Sequence, residues 1–160
     1  HGTTFQLSKS VALAGSNEST AAELSNDRLM LNSRNQKGDV RARIVSISKD
    51  GGANWDTTYF DHQLPDPICQ GSLLNIDWKK GKSVLAFSND ANEKNRDSLT
   101  IQISYNEGKA WKRSIQVDPT TGKGDHLAYS DLALLNGNKL GILYERNNYQ
   151  EIVFKLIPWR

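Results

Sequence analysis

Six short segments of this chain carry the side chains best suited to chemistry. They are Ser16-Asn-Glu18-Ser, Leu29-Met-Leu-Asn-Ser-Arg34, Cys69-Gln70-Gly-Ser72, Asn95-Arg96-Asp, Leu127-Ala-Tyr129-Ser-Asp-Leu132 and Gly141-Ile-Leu-Tyr144-Glu145. A free phenol titrates near pH ~10, so a reactive tyrosine needs a base within hydrogen-bond range. The planar guanidinium of arginine binds a carboxylate through two parallel hydrogen bonds and stays charged. Together these residue types suit a substrate that carries a carboxylate.

Each of these side chains also has a purely structural explanation. Tyr129 alone would be a half-buried strand tyrosine, and Glu18 would be a solvated acid near the start of a strand. Arg34 and Arg96 would be exposed arginines at strand ends. Glu145 is harder to explain in this way, because an acid that closes an apolar run needs a partner.

One sequence pattern occurs twice and is half-present a third time. The segments Ser48 to Trp55 and Ser104 to Trp111 share the frame S-x-(D/N)-x-G-x-x-W, and residues 1–5 fit its last five places with Phe in place of Trp. In such a frame the Ser and Asp side chains bond the backbone of a tight turn and the Gly supplies a positive φ. Repeats of 50 to 56 residues favour the four-stranded blades of a β-propeller. Because the chain begins inside a repeat, we expect it to be part of a larger protein.

The hydrophobic pattern predicts β-strands throughout the chain and no long amphipathic helix. The predicted strands form sets of four, four and three: 20–24, 29–33, 41–48 and 55–60; 72–77, 83–88, 98–104 and 112–117; 129–135, 139–144 and 151–158. Closed propellers often complete the last blade with a strand from the other end of the chain. We therefore expect a partner polypeptide, most simply the N-terminal half of the same protein.

Composition excludes several classes of function. The chain has 20 basic and 18 acidic residues in 160, so a charge of +2 gives no electrostatic case for nucleic acid. No apolar run approaches the ~18 residues of a membrane span. Cys69 is the only cysteine, which excludes an internal disulfide, and the three histidines are too scattered to form a zinc site with it.

In their order and spacing, the six segments resemble the C-terminal half of an exo-α-sialidase (neuraminidase) of the bacterial and animal type. The resemblance covers nearly the whole chain, and the two repeated motifs are similar to the structural Asp-boxes of that family. It implies an all-β fold of the sialidase propeller type. In that fold this chain supplies about three four-stranded antiparallel blades of a six-bladed propeller, and residues 1–160 form the C-terminal part of the catalytic domain.

The resemblance implies that Tyr129 is the nucleophile and that Glu18 is its general base. Sialic acid carries a carboxylate on its anomeric carbon, which would repel a carboxylate nucleophile but not a neutral phenol. For that reason sialidases are exceptions to the two-carboxylate scheme of glycosidases. The implied activity is release of terminal sialic acid from glycoconjugates with retention, and family members need no cofactor for it. Nothing in the sequence suggests a metal site.

The resemblance also implies how the substrate is bound. Arg34 and Arg96 would be two of three arginines that hold the sugar carboxylate, and Glu145 would orient the third. Gln70 would line the pocket near the glycerol or N-acyl side of the sugar. The first arginine and the aspartic acid that serves as acid/base have no match in this sequence, so we expect the chain to be inactive without the N-terminal half.

Two other functions remain open at this point. The chain could form a sialic-acid-binding or inactive propeller, although a lectin has no need of a nucleophile. It could also belong to a trans-sialidase, which shares the same catalytic residues and differs at the acceptor site. The location of sialylated glycans implies a secreted, periplasmic or cell-surface protein.

Overall fold

The computed structural model describes residues 2–121, 126–136 and 138–160, which form eleven antiparallel strands. The strands are β1 (Ser16–Glu23), β2 (Leu29–Asn35), β3 (Ala42–Ser48), β4 (Thr57–Pro65), β5 (Ser72–Lys79), β6 (Lys82–Asp90), β7 (Leu99–Ser104), β8 (Arg113–Gln116), β9 (Leu127–Leu135), β10 (Lys139–Arg146) and β11 (Glu151–Pro158). They form three sheets in the orders β1-β2-β3-β4, β5-β6-β7-β8 and β9-β10-β11. We call these sheets blades 1, 2 and 3. The fold is all-β, and the described residues contain no helix that could cross a membrane.

The predicted sets of four, four and three strands are confirmed, although several boundaries differ. β1 begins at Ser16, four residues before its predicted start, so Glu18 lies within a strand and not in a loop. β4 continues to Pro65, past the predicted end at residue 60. A proline can end this strand because β4 is at the edge of its sheet and its N–H need not join a ladder.

Two of the repeated motifs have the same hydrogen-bonded turn. In the first, the hydroxyl of Ser48 accepts from the N–H of Gly52 at 2.8 Å, and Asp50 Oδ1 accepts from the N–H of Asn54 at 2.9 Å. In the second motif the equivalent contacts have the same lengths and involve Ser104 with Gly108 and Asn106 with Ala110. The third, partial copy does not form such a hairpin: residues 2–15 contain no strand and Phe5 is exposed, while His1 lies outside the described residues.

Trp111 of the second motif joins blade 2 to blade 1. Its ring packs at 6.1 Å from the ring of Phe87, and its indole N–H donates to Asp61 of β4 at 3.0 Å. The motif therefore closes a hairpin and also fastens it to the neighbouring blade.

Two apolar clusters lie between the blades. One cluster joins blades 1 and 2 and includes Met30, Val45 and Phe87, while the other joins blades 2 and 3 and includes Ile101 and Ile142. The first strand of each blade contacts the first strand of the next, β1 with β5 and β5 with β9. Blade 2 thus sets the spacing between β1 and β9.

Blade 3 has an exposed apolar face. Leu143 on β10 pairs with Phe154 on β11, and both side chains are about half exposed, as are Ile152 and Leu156 on the same face. The register of β9 and β10 puts Tyr129 on this face, at one end of it. We call this surface the open face of blade 3.

An ion pair connects blades 1 and 2 through the turn between β1 and β2. Glu107 accepts from Arg28 Nη2 at 2.6 Å and from the N–H of Ser25 at 2.8 Å. Burial alone would raise the pKa of Glu107, but the hydrogen bonds from Ser25 and Arg28 outweigh it and lower that pKa from 4.5 to about 2. Glu107 is therefore ionised and holds the two blades together over most of the pH range.

Glu107→Gln is expected to lower the free energy of unfolding at pH 7 by about 1–3 kcal/mol, because charge-assisted hydrogen bonds are lost. The folded-state pKa lies below the ordinary value, so the advantage of the native glutamate is complete above pH ~4.5 and disappears as the pH falls towards about 2. Urea unfolding at several pH values measures this difference. Lys49→Gln is the control, because its pair with Asp56 is mostly exposed and has little effect. An advantage that persists at pH 2 would contradict the assignment.

Candidate active site

Tyr129 and Glu18 meet across two blades. The hydroxyl of Tyr129 on β9 donates a hydrogen bond to Glu18 Oε1 on β1, although the two residues are 111 positions apart. The tyrosine is 38% exposed, so solvent reaches part of this side chain. This pair has the geometry of a nucleophile in contact with a base.

Both residues lie at β-bulges. The pairing of β1 with β2 skips Glu18, and the pairing of β9 with β10 sets residues 128 and 129 opposite Glu145 alone. A bulge inserts an extra residue into a strand, turns its side chain and interrupts the ladder. Asn17 Oδ1 accepts the N–H of Glu18 at 2.8 Å, and Glu145 Oε2 accepts the N–H of Tyr129 at 3.2 Å. Side chains thus replace the ladder partners that the two bulges remove.

Arg34 completes the contact between Tyr129 and Glu18. It lies opposite Asn17 in the ladder, and its Nη1 donates to Glu18 Oε2 at 2.6 Å and to the Tyr129 oxygen at 3.4 Å. Its Nε donates to Gln36 Oε1 at 2.9 Å. Because only 12% of the Arg34 side chain is exposed, these contacts fix its guanidinium beside the phenol.

The phenol of Tyr129 holds its proton in the unliganded site. The hydrogen bond to Glu18, burial and the charge of Glu18 raise the pKa of Tyr129 above its ordinary value, while Arg34 opposes the increase. A free phenolate therefore does not form beside the glutamate. The arrangement instead allows the proton to pass to Glu18 as the oxygen forms a new bond, with Arg34 nearby to offset the negative charge.

Gln70 contacts the backbone next to Tyr129. Its Oε1 accepts the N–H of Ser130 at 3.0 Å, and its Nε2 donates to the carbonyl of Gly71 at 3.0 Å. Gln70 also lines a cavity of about 260 Å³ with Tyr129 and Glu145, which continues onto the open face of blade 3. Both ends of its amide already have partners in the protein.

Arg96 lies in the loop between β6 and β7, and its backbone is hydrogen-bonded to the start of β9. Its carbonyl accepts the N–H of Leu127 at 3.0 Å, two residues before Tyr129. Its guanidinium donates to the carbonyl of Ile68 at 2.9 Å and to the hydroxyl of Tyr149 at 3.0 Å. The structure thus brings Tyr129, Glu18 and Arg34 into direct contact, and links Gln70, Glu145 and Arg96 to the same segment of β9.

Two contacts of the arginines were not predicted from the sequence. Gln36, just after the end of β2, accepts from Arg34. Its spacing of two residues from Arg34 is the one local signal, because side chains two apart in an extended chain lie on the same face. Tyr149 contacts Arg96 from the turn between β10 and β11, and no pattern in the sequence indicates this. Among the described residues, no group of three or more His, Cys, Asp or Glu side chains is placed to hold a metal ion.

The pKa of Tyr129 provides a test of these contacts. Glu18→Gln is expected to lower it, because the negative charge that opposes ionisation is removed, and Arg34→Gln is expected to raise it, because a nearby cation is lost. Carbon-13 labelling of the tyrosine rings and NMR titration measure both shifts, and Tyr129→Phe identifies the resonance. Shifts of the same sign in both variants would contradict the observed arrangement.

Comparison with known proteins assigns the family. Residues 1–142 match the BNR repeat-like domain. A sialidase of Bacteroides fragilis is 35% identical to this chain, and the match covers 84% of this chain and 25% of that sialidase. A sialidase of Micromonospora viridifaciens is 33% identical, and the match covers 91% of this chain and 22% of that sialidase. The structure of the Hadza microbial sialidase Hz136 has a TM-score of 0.75 and 30% identity, over 91% of this chain and 28% of that one.

The chain spans between 22% and 43% of the length of the curated relatives it matches. The repeated turns, the three blades and these similarities agree with one another. The chain therefore belongs to the family of BNR repeat-like domains, with the β-propeller fold of sialidases, and is related within that family to sialidases.

Proposed function

We propose that this chain forms part of the active site of an exo-α-sialidase, which releases terminal sialic acid from glycoconjugates with retention. The observation that carries the proposal is the hydrogen bond from Tyr129 to Glu18 with Arg34 against both. The sialidase relatives support it independently.

In the first step the Tyr129 oxygen attacks the anomeric carbon of sialic acid, and its proton moves to Glu18. The bond from that carbon to the aglycone breaks, and the departing oxygen takes a proton from an acid that another part of the protein supplies. In the second step water attacks the same carbon and gives a proton to the conjugate base of that acid, while the bond to Tyr129 breaks and Glu18 returns its proton to the phenol oxygen. Two inversions at one carbon give retention.

Arg34 and Arg96 are the proposed ligands of the substrate carboxylate. Arg34 is placed beside Tyr129, so a carboxylate on the anomeric carbon would lie next to the attacking oxygen. Its fork would give that carboxylate two hydrogen bonds and would exchange some of its present contact with Gln36. Glu145 lies beside Tyr129 and is proposed to orient the third arginine, while Gln70 lines the adjoining cavity.

A binding module without catalysis would not need this arrangement. An arginine pair alone can hold a carboxylate, whereas a phenol that donates to a partly exposed carboxylate is suited to forming a bond. The bulges at Glu18 and Tyr129 favour the enzyme, because they turn both side chains towards one point at a cost to the ladder. Transfer of sialic acid to another sugar in place of water uses the same residues and stays an alternative.

We also propose that residues 1–160 are the C-terminal part of a catalytic domain whose remaining blades cover the open face of blade 3. Large apolar side chains grouped on one exposed sheet face mark an association surface. The two bacterial sialidases are also about four times as long as their matched part. A polypeptide packed on this face would also reach Glu145 and Tyr129. Because the proposed substrate is a sialylated glycan, we propose a secreted, periplasmic or cell-surface location.

Tyr129→Phe in the complete protein is expected to abolish normal turnover of a fluorogenic sialoside, because the nucleophilic oxygen is absent. Glu18→Gln should lower kcat by about 10²–10⁴-fold, as expected on removal of a general base. Steady-state kinetics measure both, with Lys49→Gln as an unaffected control. Normal turnover by Tyr129→Phe would exclude Tyr129 as the nucleophile.

Phe154→Lys tests the role of the open face. In the complete protein it should lower the unfolding temperature, because a lysine would be buried against the neighbouring blade. In the 160-residue chain alone it should have little effect, because Phe154 is 57% exposed there. Leu7→Lys is the control, since Leu7 is 95% exposed and away from this face. Equal effects of Phe154→Lys in both proteins would contradict the proposed packing.

A further inference from the structure

A fully buried ion pair lies next to the candidate active site. Arg43 on β3 and Asp66 just after β4 both have side chains with 0% exposure, and Arg43 Nη1 lies 3.2 Å from Asp66 Oδ2. Arg43 Nε also donates to Asn32 Oδ1 at 2.8 Å. Burying two charges is costly, and such pairs are weak evidence of a contribution to stability. The pair therefore calls for another explanation.

The ion pair fastens the segment that joins blades 1 and 2. We call residues 66–72 the connector. Asp66 Oδ1 accepts the N–H of Cys69 at 3.0 Å, and Arg43 Nη1 donates to the carbonyl of the same residue. Asp66 Oδ2 accepts the N–H of Asn35, which follows Arg34 in the chain, at 2.9 Å. The pair thus ties the connector to the strand that carries Arg34.

The connector contains a strained residue. Ile68 has φ = 62°, a conformation that is unfavourable for a β-branched side chain. The Ile68 side chain is closely packed against Gly38, because a Cβ on that glycine would lie 2.4 Å from Ile68 Cδ1. Backbone strain of this kind persists only where the surroundings enforce it, and it is concentrated at functional sites. Arg43 and Asp66 both hydrogen-bond to the backbone of Cys69, the residue that follows Ile68.

The connector in turn contacts both sides of the site. The carbonyl of Ile68 accepts from Arg96 Nη2 at 2.9 Å, and Gln70 Oε1 accepts the N–H of Ser130 at 3.0 Å. The hydroxyl of Ser72 donates to Asp131 at 2.8 Å and accepts the N–H of Leu132 at 3.1 Å. The connector thus hydrogen-bonds to Arg96 and to each of the three residues that follow Tyr129.

We propose that Arg43 and Asp66 are positioning residues that hold the connector in its strained form, so that Ile68 orients Arg96 and Gln70 fixes β9 at Tyr129. The effect of this positioning on catalysis rests on the proposed function. In this assignment Gln70 acts through the backbone of Ser130, because its Oε1 accepts that N–H while its Nε2 donates to the carbonyl of Gly71.

The first experiment does not depend on activity. Hydrogen exchange of the Ser130 amide in the complete protein, compared between the native chain and Arg43→Met, should show at least about 10-fold faster exchange in the variant. Glu107→Gln is the matched control, because it weakens the contact between blades away from the connector and should leave Ser130 unchanged. Equal exchange in the native chain and Arg43→Met would overturn the proposal.

The second experiment connects the geometry to the reaction. With a fluorogenic sialoside, Arg43→Met should raise KM and lower kcat, with a combined loss in kcat/KM of about 10²-fold, as small displacements of reacting groups can cause. Glu107→Gln should leave both constants unchanged in the folded protein. Arg43→Met with Ile68→Gly should regain part of the loss, because glycine adopts this φ without strain. A kcat/KM for Arg43→Met equal to that of Glu107→Gln would refute the positioning role.

Arg43→Lys replaces Arg43→Met in both experiments if the methionine variant does not fold. It keeps the charge beside Asp66 but loses the fork that reaches Asn32 and Cys69. An inactive native protein would refute the proposed function alone, whereas the exchange of the Ser130 amide would still decide whether Arg43 holds the connector.

Discussion

The hydrogen bond between Tyr129 and Glu18 depends on the relative position of all three blades. The two residues belong to blades 1 and 3, so their hydrogen bond exists only if blade 2 holds the outer blades at the correct spacing. The apolar clusters between the blades and the indole of Trp111 maintain that spacing by different interactions. The function of the middle blade is therefore to place two strands that share no ladder.

The phenol of Tyr129 lies between a negative charge on Glu18 and a positive charge on Arg34. Glu18 raises the pKa of the Tyr129 phenol, which keeps this phenol neutral. Arg34 contacts both groups and can offset negative charge on either one. A neutral phenol suits a substrate whose reacting carbon carries a carboxylate, since a charged nucleophile would be repelled. The electrostatics thus agree with the chemistry that the family relationship suggests.

Strand number and the repeated turns could be predicted from the sequence, because alternation and the Ser, Asp and Gly positions are local signals. The resemblance also indicated Tyr129, Glu18 and Arg34, which the structure brings together. The bulges at Glu18 and Tyr129 were not predicted, since a bulge depends on the register of two strands and not on one segment. Asp66 is a buried acid whose partner lies 23 residues earlier in the chain, and no local pattern in the sequence indicates that pairing.

Covalent trapping tests the central claim most directly. A sialic acid derivative with fluorine at the anomeric carbon and at its neighbour provides a good leaving group and slows hydrolysis of the resulting sugar–enzyme bond. After it reacts with the complete protein, peptide mass spectrometry identifies the modified residue. We expect one sugar attached to Tyr129 and none in the Tyr129→Phe variant. A sugar attached to another residue, or labelling that persists in that variant, would contradict it.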